Sequence, residues 1–160
     1  ATAHIVGALD EAVGWLDGYH SKVQLVRERL QEELGNEKVL IVSQFNESFF
    51  LFPTRGMSDV FGDLGLQSPR SAEQYADNQS VTLAELALLD TDHLLLNIRQ
   101  ESESLQHWER IRTSVLWQDL KVVRRNRVHL ISSDPWREYS AYAIERMVQD
   151  VYELLCDNRT

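Results

Sequence analysis

Cysteine is almost absent from this sequence. Cys156 stands alone, which excludes an internal disulfide and any Cys-rich metal site and leaves the residue its ordinary reading, a small packed hydrophobe in the last helix. Positive charge is also short: 16 Lys and Arg face 25 Asp and Glu, for a formal net charge of -9. Phosphate binding needs clustered cations, and only Lys121, Arg124, Arg125 and Arg127 cluster here, so direct nucleic-acid contact is not expected. That group reads first as a solvated rim around a strand start and second as an anion site. No apolar run approaches the ~20 residues that span a bilayer, and residues 1–7 lack the regions of a signal peptide. The first residue is Ala rather than Met, so a processed or excised piece is expected and the compartment stays open.

Glycine is scarce, and no Gly-x-Gly-x-x-Gly or Gly-x-x-x-x-Gly-Lys-Ser/Thr appears, so a conventional dinucleotide or NTP site is excluded. The five histidines, His4, His20, His93, His107 and His129, share no ligand spacing, and His93 and His129 read as hydrogen-bonded strand residues. No Gly-x-Ser-x-Gly elbow is present, and the lone cysteine has no basic partner nearby in sequence. Glu32 with Glu33 and Glu101 with Glu103 read as solvated helix faces. No catalytic residue, resident cofactor or metal is expected, and the protein is not expected to be an enzyme.

What is present is regular. At 160 residues the chain suits one α/β unit that buries roughly 70% of its unfolded surface. Leu9, Val13, Leu16, Tyr19, Val23, Val26, Leu30 and Leu34 form one helical stripe over residues 8–34, which Gly35-Asn36 would end. A helix of roughly 40 Å is longer than such a unit needs, so part of its stripe is expected to lean on something else. The continuous apolar run 38–43 predicts a central parallel strand, and 48–52 a second strand stopped by Pro53. A short helix at 60–64, a strand near 79–81, a helix at 83–89 and a strand at 93–98 follow. The helix predicted over 101–113 carries Leu105, Trp108, Ile111 and Arg112 on its inner edge. After the strand 128–131, Asp134 as N-cap and Pro135 predict the start of a last helix that turns Ala141, Ile144, Met147, Val151 and Leu154 inward. These elements make a three-layer αβα lobe with a mostly parallel sheet. Loops at the carboxyl ends of its strands are where open sheets of this class bind ligands.

Several segments, in order, carry a resemblance: Leu64-Gly65-Leu66; Val81-Thr82-Leu83-Ala84-Glu85-Leu86; Leu89-Asp90-Thr91-Asp92-His93 into Leu94-Leu95-Leu96; Trp117-Gln118-Asp119-Leu120 through Asn126-Arg127-Val128; and Trp136 after the strand. Together the run from Lys38 onward resembles the C-terminal lobe of the class III periplasmic-type binding proteins, clamshell receptors of ferric siderophores, haem and cobalamin. No one segment is specific; their order and spacing are. The resemblance implies residues 37–160 as the lobe, residues 1–36 as the interlobe helix, and a missing N-terminal lobe. It also implies a ligand held by loops 44–48, 52–58, 98–102 and 132–139. On that basis Arg55 is the first ligand-contact candidate, since its guanidinium fork suits the anionic oxygens of a ferric catecholate or hydroxamate. Arg99 comes next, with Trp136, Tyr139 and Phe45 as aromatic walls.

Glu85 matches the position at which importer members dock on the arginines of an ABC permease; its plain reading is a first-turn helix carboxylate. The segment 134–147 and the tail 154–160 look like the sensor halves attached to AraC-type transcription regulators. A siderophore sensor of such a regulator is therefore the first functional expectation, cytoplasmic in that case. The alternatives are the substrate-binding lipoprotein of an iron-siderophore importer, outside the membrane, and a protein-interaction domain without ligand. An apolar stripe that has lost its neighbour could also drive homodimer formation.

Overall fold

The structure, a computed structural model, describes residues 2–51, 60, 62–76, 79–131 and 140–156. Helix α1 spans Thr2–Leu34, starting earlier than the stripe at residue 8 suggested. Its 33 residues reach about 50 Å. The predicted stripe divides in two: Tyr19, Val23, Val26, Leu30 and Leu34 are buried, whereas Leu9, Val13 and Leu16 are exposed, as are Ile5 and Val6 ahead of it. Gly35 ends the helix at φ 57°, a left-handed conformation that costs a residue without Cβ little.

Strand β1 (Val39–Phe45) follows, then β2 (Ser48–Leu51), β3 (Ser80–Val81), helix α2 (Leu83–Ala87), β4 (His93–Ile98), α3 (Ser102–Arg112), α4 (Val115–Gln118), α5 (Lys121–Arg124), β5 (Val128–Ile131) and α6 (Ala141–Leu155). The five strands form one sheet in the order β3-β2-β1-β4-β5. β4 pairs in parallel with β1 and with β5, while β2 is antiparallel to both β1 and β3. Four strands thus point one way, with β2 opposed, and the mostly parallel sheet expected from the apolar runs is present.

Alternation along the strands divides the core into two layers. Val39 and Ile41 of β1, Leu95 of β4 and Ile131 of β5 pack with the buried half of α1 and with Met147, Val148, Val151 and Leu155 of α6. Leu40, Val42, Leu94 and Leu96 face the other way, with Phe49 and Val81, onto Leu86, Trp117, Leu120 and Val122. There Trp117 stacks on Phe49 with 6.1 Å between centroids and receives Trp108 edge-on at 5.0 Å. Helices on both faces of a sheet buried on both faces give the three layers. Cys156 is buried in the first core, as a packed hydrophobe.

Two helix faces differ from expectation. The inner side of α3 is Ser104 with Trp108 and Ile111, while Leu105 is exposed and Arg112 pairs with Glu109 at 2.6 Å. The reason is polar: Ser104 Oγ accepts the backbone N–H of Asn46 at 2.7 Å, so the helix is turned to bring a small hydroxyl, not a leucine, to the sheet. Helix α6 is capped by Ser140, whose side chain accepts from Ala143 N, rather than by Asp134. Asp134 and Pro135 themselves lie outside the described residues. Ala143, Val148 and Leu155 are buried beside Met147 and Val151; Ile144 and Leu154 turn inward as expected and are partly buried against the same core, whereas Ala141 is exposed.

Polar bonds tie down the amino edge of the sheet. Lys38 N donates to Asp92 Oδ2 at 2.7 Å, and Lys121 Nζ lies 3.1 Å from carboxylate oxygens of both Asp90 and Asp92. Arg127 Nη1 bridges Glu37 Oε2 at 2.9 Å and His93 Nε2 at 2.8 Å, and His93 Nδ1 lies 3.3 Å from His129 Nε2. Both histidines are thus hydrogen-bonded strand residues, as their positions predicted. Burial acts most strongly on the Asp92 carboxyl and raises its pKa, but the Lys38 N–H, the Lys121 ammonium and His93 together outweigh it and hold the carboxyl below its ordinary value.

Leu95 is fully buried in β4, and Leu95→Ala is expected to cost about 2–5 kcal/mol in urea unfolding; a loss under about 1 kcal/mol would contradict this packing. A depressed folded pKa stabilises above the unfolded value and ceases to do so as pH falls through the folded one. Asp92→Asn is therefore expected to cost about 1.5 kcal/mol at neutral pH. Unfolding across a pH series should show the gap between the proteins holding above about pH 4 and closing below it.

Candidate functional site

Strands β1, β4 and β5 end at one edge of the sheet, and the loops that leave β1 and β4 are neighbours because the strands are. Of the four predicted ligand loops, 44–48 and 98–102 are described; 52–58 and 132–139, and with them Arg55, Trp136 and Tyr139, lie outside the described residues. The two described candidates, Arg99 and Phe45, come together. Arg99 N donates to Gln44 O at 3.2 Å, carrying the β1–β4 ladder one residue past β4 and fixing where the side chain starts. Its guanidinium carbon sits 5.5 Å from the centroid of the Phe45 ring, within cation–π range. Phe45 is itself exposed and meets Phe50 edge-on at 6.5 Å.

The guanidinium is already engaged. Arg99 Nε lies 3.2 and 3.3 Å from the two carboxylate oxygens of Glu101, and Nη2 lies 2.6 Å from Oε1. These hydrogen bonds hold the Arg99 pKa above its ordinary value, with partial burial opposing them. Glu101 is thus more than the solvated helix carboxylate it resembled beside Glu103. It is the N-cap residue of α3, yet its side chain makes no capping bond there.

Under this surface the strand ends are polar. Gln44, fully buried, donates from Nε2 to Asn46 O at 2.7 Å and to Ser104 O at 3.0 Å. The Ser104 hydroxyl donates to Asn46 Oδ1 at 3.3 Å, and Asn46 takes the left-handed conformation that turns β1 into β2, φ 52°. Hairpin tip and helix start are thereby locked together. Gln44 Oε1 and Asn97 Oδ1, both buried, find no donor among the described residues, an uncommon state for a protein interior. Gln44 and Glu101 fall within the predicted ligand loops but were not singled out, and Asn97 and Ser104 lie outside those loops. The available signals were a polar residue closing each of two apolar strands and the Arg-x-Glu spacing just beyond one of them.

Glu85 lies elsewhere, at the β3 end of the sheet. It is the third residue of a capping box: Glu85 Oε2 accepts Thr82 N at 2.7 Å, and Thr82 Oγ1 accepts Glu85 N at 3.1 Å. Its plain reading, a carboxylate at a helix start, thus has a specific bond behind it. Among the described residues no group of three or more His, Cys, Asp or Glu could hold a metal ion, and no helix is long and apolar enough to cross a membrane.

The chain is 34% identical over 155 residues to the HTH-type transcriptional activator Btr of Bacillus subtilis, covering 96% of this chain and 29% of that protein. It is 20% identical over 164 residues to the iron-uptake system-binding protein of the same organism, covering 98% of this chain and 51% of that protein. The chain thus spans about half or less of the length of these relatives. In fold it is similar to the crystal structure of the triscatecholate siderophore binding protein FeuA from Bacillus subtilis complexed with ferri-bacillibactin, with a TM-score of 0.81 at 19% identity, over 96% of this chain and 56% of that one. The family profile described as periplasmic binding protein matches residues 1–135. The chain belongs to the periplasmic binding protein family.

Proposed function

We propose that this chain is the C-terminal lobe of a two-lobed receptor that takes a ferric siderophore between its lobes, and that it senses the chelate for an AraC-type transcription regulator. The observation that carries the two-lobed reading is the divided stripe of α1. Its second half is buried on the sheet, while Ile5, Val6, Leu9, Val13 and Leu16 are bare. Such an apolar row calls for a covering surface, and a preceding lobe, with residues 1–36 as the helix between lobes and 37–160 as this lobe, would supply one. Because α1 ends just before β1 begins, the bare half lies away from the amino edge of the sheet.

The ligand class rests on the rim. Arg99 and Phe45 offer a donor fork on an aromatic face, and Arg55, Trp136 and Tyr139 are proposed as further contacts. The fold-related FeuA was crystallised with ferri-bacillibactin, which supports a ferric chelate of that kind. Sensing is preferred to import because the activator is 34% identical to this chain and the iron-uptake protein 20%. In this reading the protein is a binding unit rather than an enzyme, it is cytoplasmic, and another segment of the gene product contacts DNA. The importer reading has the fold likeness behind it; it would put the protein outside the membrane and give Glu85 a permease to dock on.

A ligand closes two lobes only through contacts that the open state lacks, so one lobe alone should bind poorly. In fluorescence-quenching titrations with ferri-bacillibactin, the 160-residue chain is expected to bind on the order of a hundredfold more weakly than the complete gene product. Arg55→Ala in the complete product is expected to weaken binding about tenfold or more. Equal affinity of chain and complete product would contradict the two-lobed cleft. Failure of the complete product to bind the chelate would favour the interaction-domain reading.

A further inference from the structure

Arg99 offers an anion two usable edges of its guanidinium, and Glu101 occupies the edge formed by Nε and Nη2. Neither partner is sealed in: the Arg99 side chain is 28% exposed and that of Glu101 50%. A pair this open to water is weakly held, so a well-placed anion can displace the carboxylate. The displaced carboxylate has a second seat within its own reach. Glu101 is the N-cap of α3, an 11-residue helix with no side-chain cap at this position, and a helix start favours negative charge near its unpaired N–H groups. The other end of the arrangement does not move, because the Arg99 backbone is bonded to Gln44 and its guanidinium rests on Phe45.

We propose that Glu101 is a specificity-determining residue that stands in for ligand oxygens on Arg99 and is exchanged for them when an anionic chelate binds. This rests on the siderophore reading and deepens it. A ferric tris-catecholate is a trianion, whereas a ferric tris-hydroxamate is neutral. A carboxylate beside the receiving guanidinium therefore opposes the first by both competition and repulsion and the second by competition alone. Glu101 sets how strongly the receptor discriminates by charge, acting through Arg99 and without contacting the iron.

The test is a double-mutant cycle in the complete gene product, titrated with ferri-bacillibactin as the tris-catecholate and with a neutral ferric tris-hydroxamate. Glu101→Gln is expected to tighten tris-catecholate binding about threefold to fivefold and to leave tris-hydroxamate binding within about twofold. In an Arg99→Gln background the gain should vanish, which a merely structural role for Glu101 would not produce. Weaker or unchanged tris-catecholate binding by Glu101→Gln would overturn the exchange, as would equal gains for both chelates or a gain that survives the loss of Arg99. If the wild-type product binds neither chelate, the siderophore reading falls and the exchange falls with it; binding without the Glu101 effect overturns the exchange alone.

Discussion

The structure depends on the parallel pairing of β1 with β4, which runs from Val39 opposite His93 to Gln44 opposite Ile98. Both strands are apolar on both faces, so neither face can be left to water. Covering them takes α1 and α6 on one side and α2 through α5 on the other. Parallel neighbours also align their ends, and this brings the β1 and β4 loops side by side. The rim is thus a consequence of how the core was built.

Polarity changes sharply along those strands. Val39 to Val42 and Leu94 to Leu96 are core; Gln44 and Asn97, equally buried, carry amides at the end where the loops depart. The Gln44 amide joins the hairpin tip to α3 through Asn46 and Ser104, so the platform under Phe45 and Arg99 is rigid. The charged groups above it are accessible and held by exchangeable bonds. A fixed base with a replaceable surface contact suits a receptor that must respond to its ligand by a population shift rather than by chemistry.

How much of this was legible in the sequence follows from what each signal encodes. Periodicity encodes burial, so the α1 stripe, the two central strands and the alternation of elements could be read directly. Its excess length could be read too, because Leu9, Val13 and Leu16 repeat as faithfully as the residues that are covered. Periodicity does not encode side-chain hydrogen bonding across the fold. It chose Leu105 for the inner face of α3, where the hairpin tip needed the hydroxyl of Ser104; capping preference, in turn, put a helix start at Asp134-Pro135, where Ser140 caps α6. Resemblance brought Arg99 and Phe45 to notice separately. Their contact with each other, and the hold of Glu101 on Arg99, depend on distances that residue spacing alone does not fix.

The central claim is that the carboxyl rim of this sheet lines a ligand cleft shared with another lobe, and that the bare half of α1 is covered by that lobe. Amide hydrogen exchange on the complete gene product, with and without ferri-bacillibactin, tests it most directly. The account predicts that residues 44–48 and 98–102 gain protection when the chelate is added, that residues 5–16 are already protected in the complete product relative to the 160-residue chain, and that the amino edge around Lys38 and Asp92 is unchanged. Protection confined to the amino edge, or residues 5–16 exchanging alike in both proteins, would contradict it.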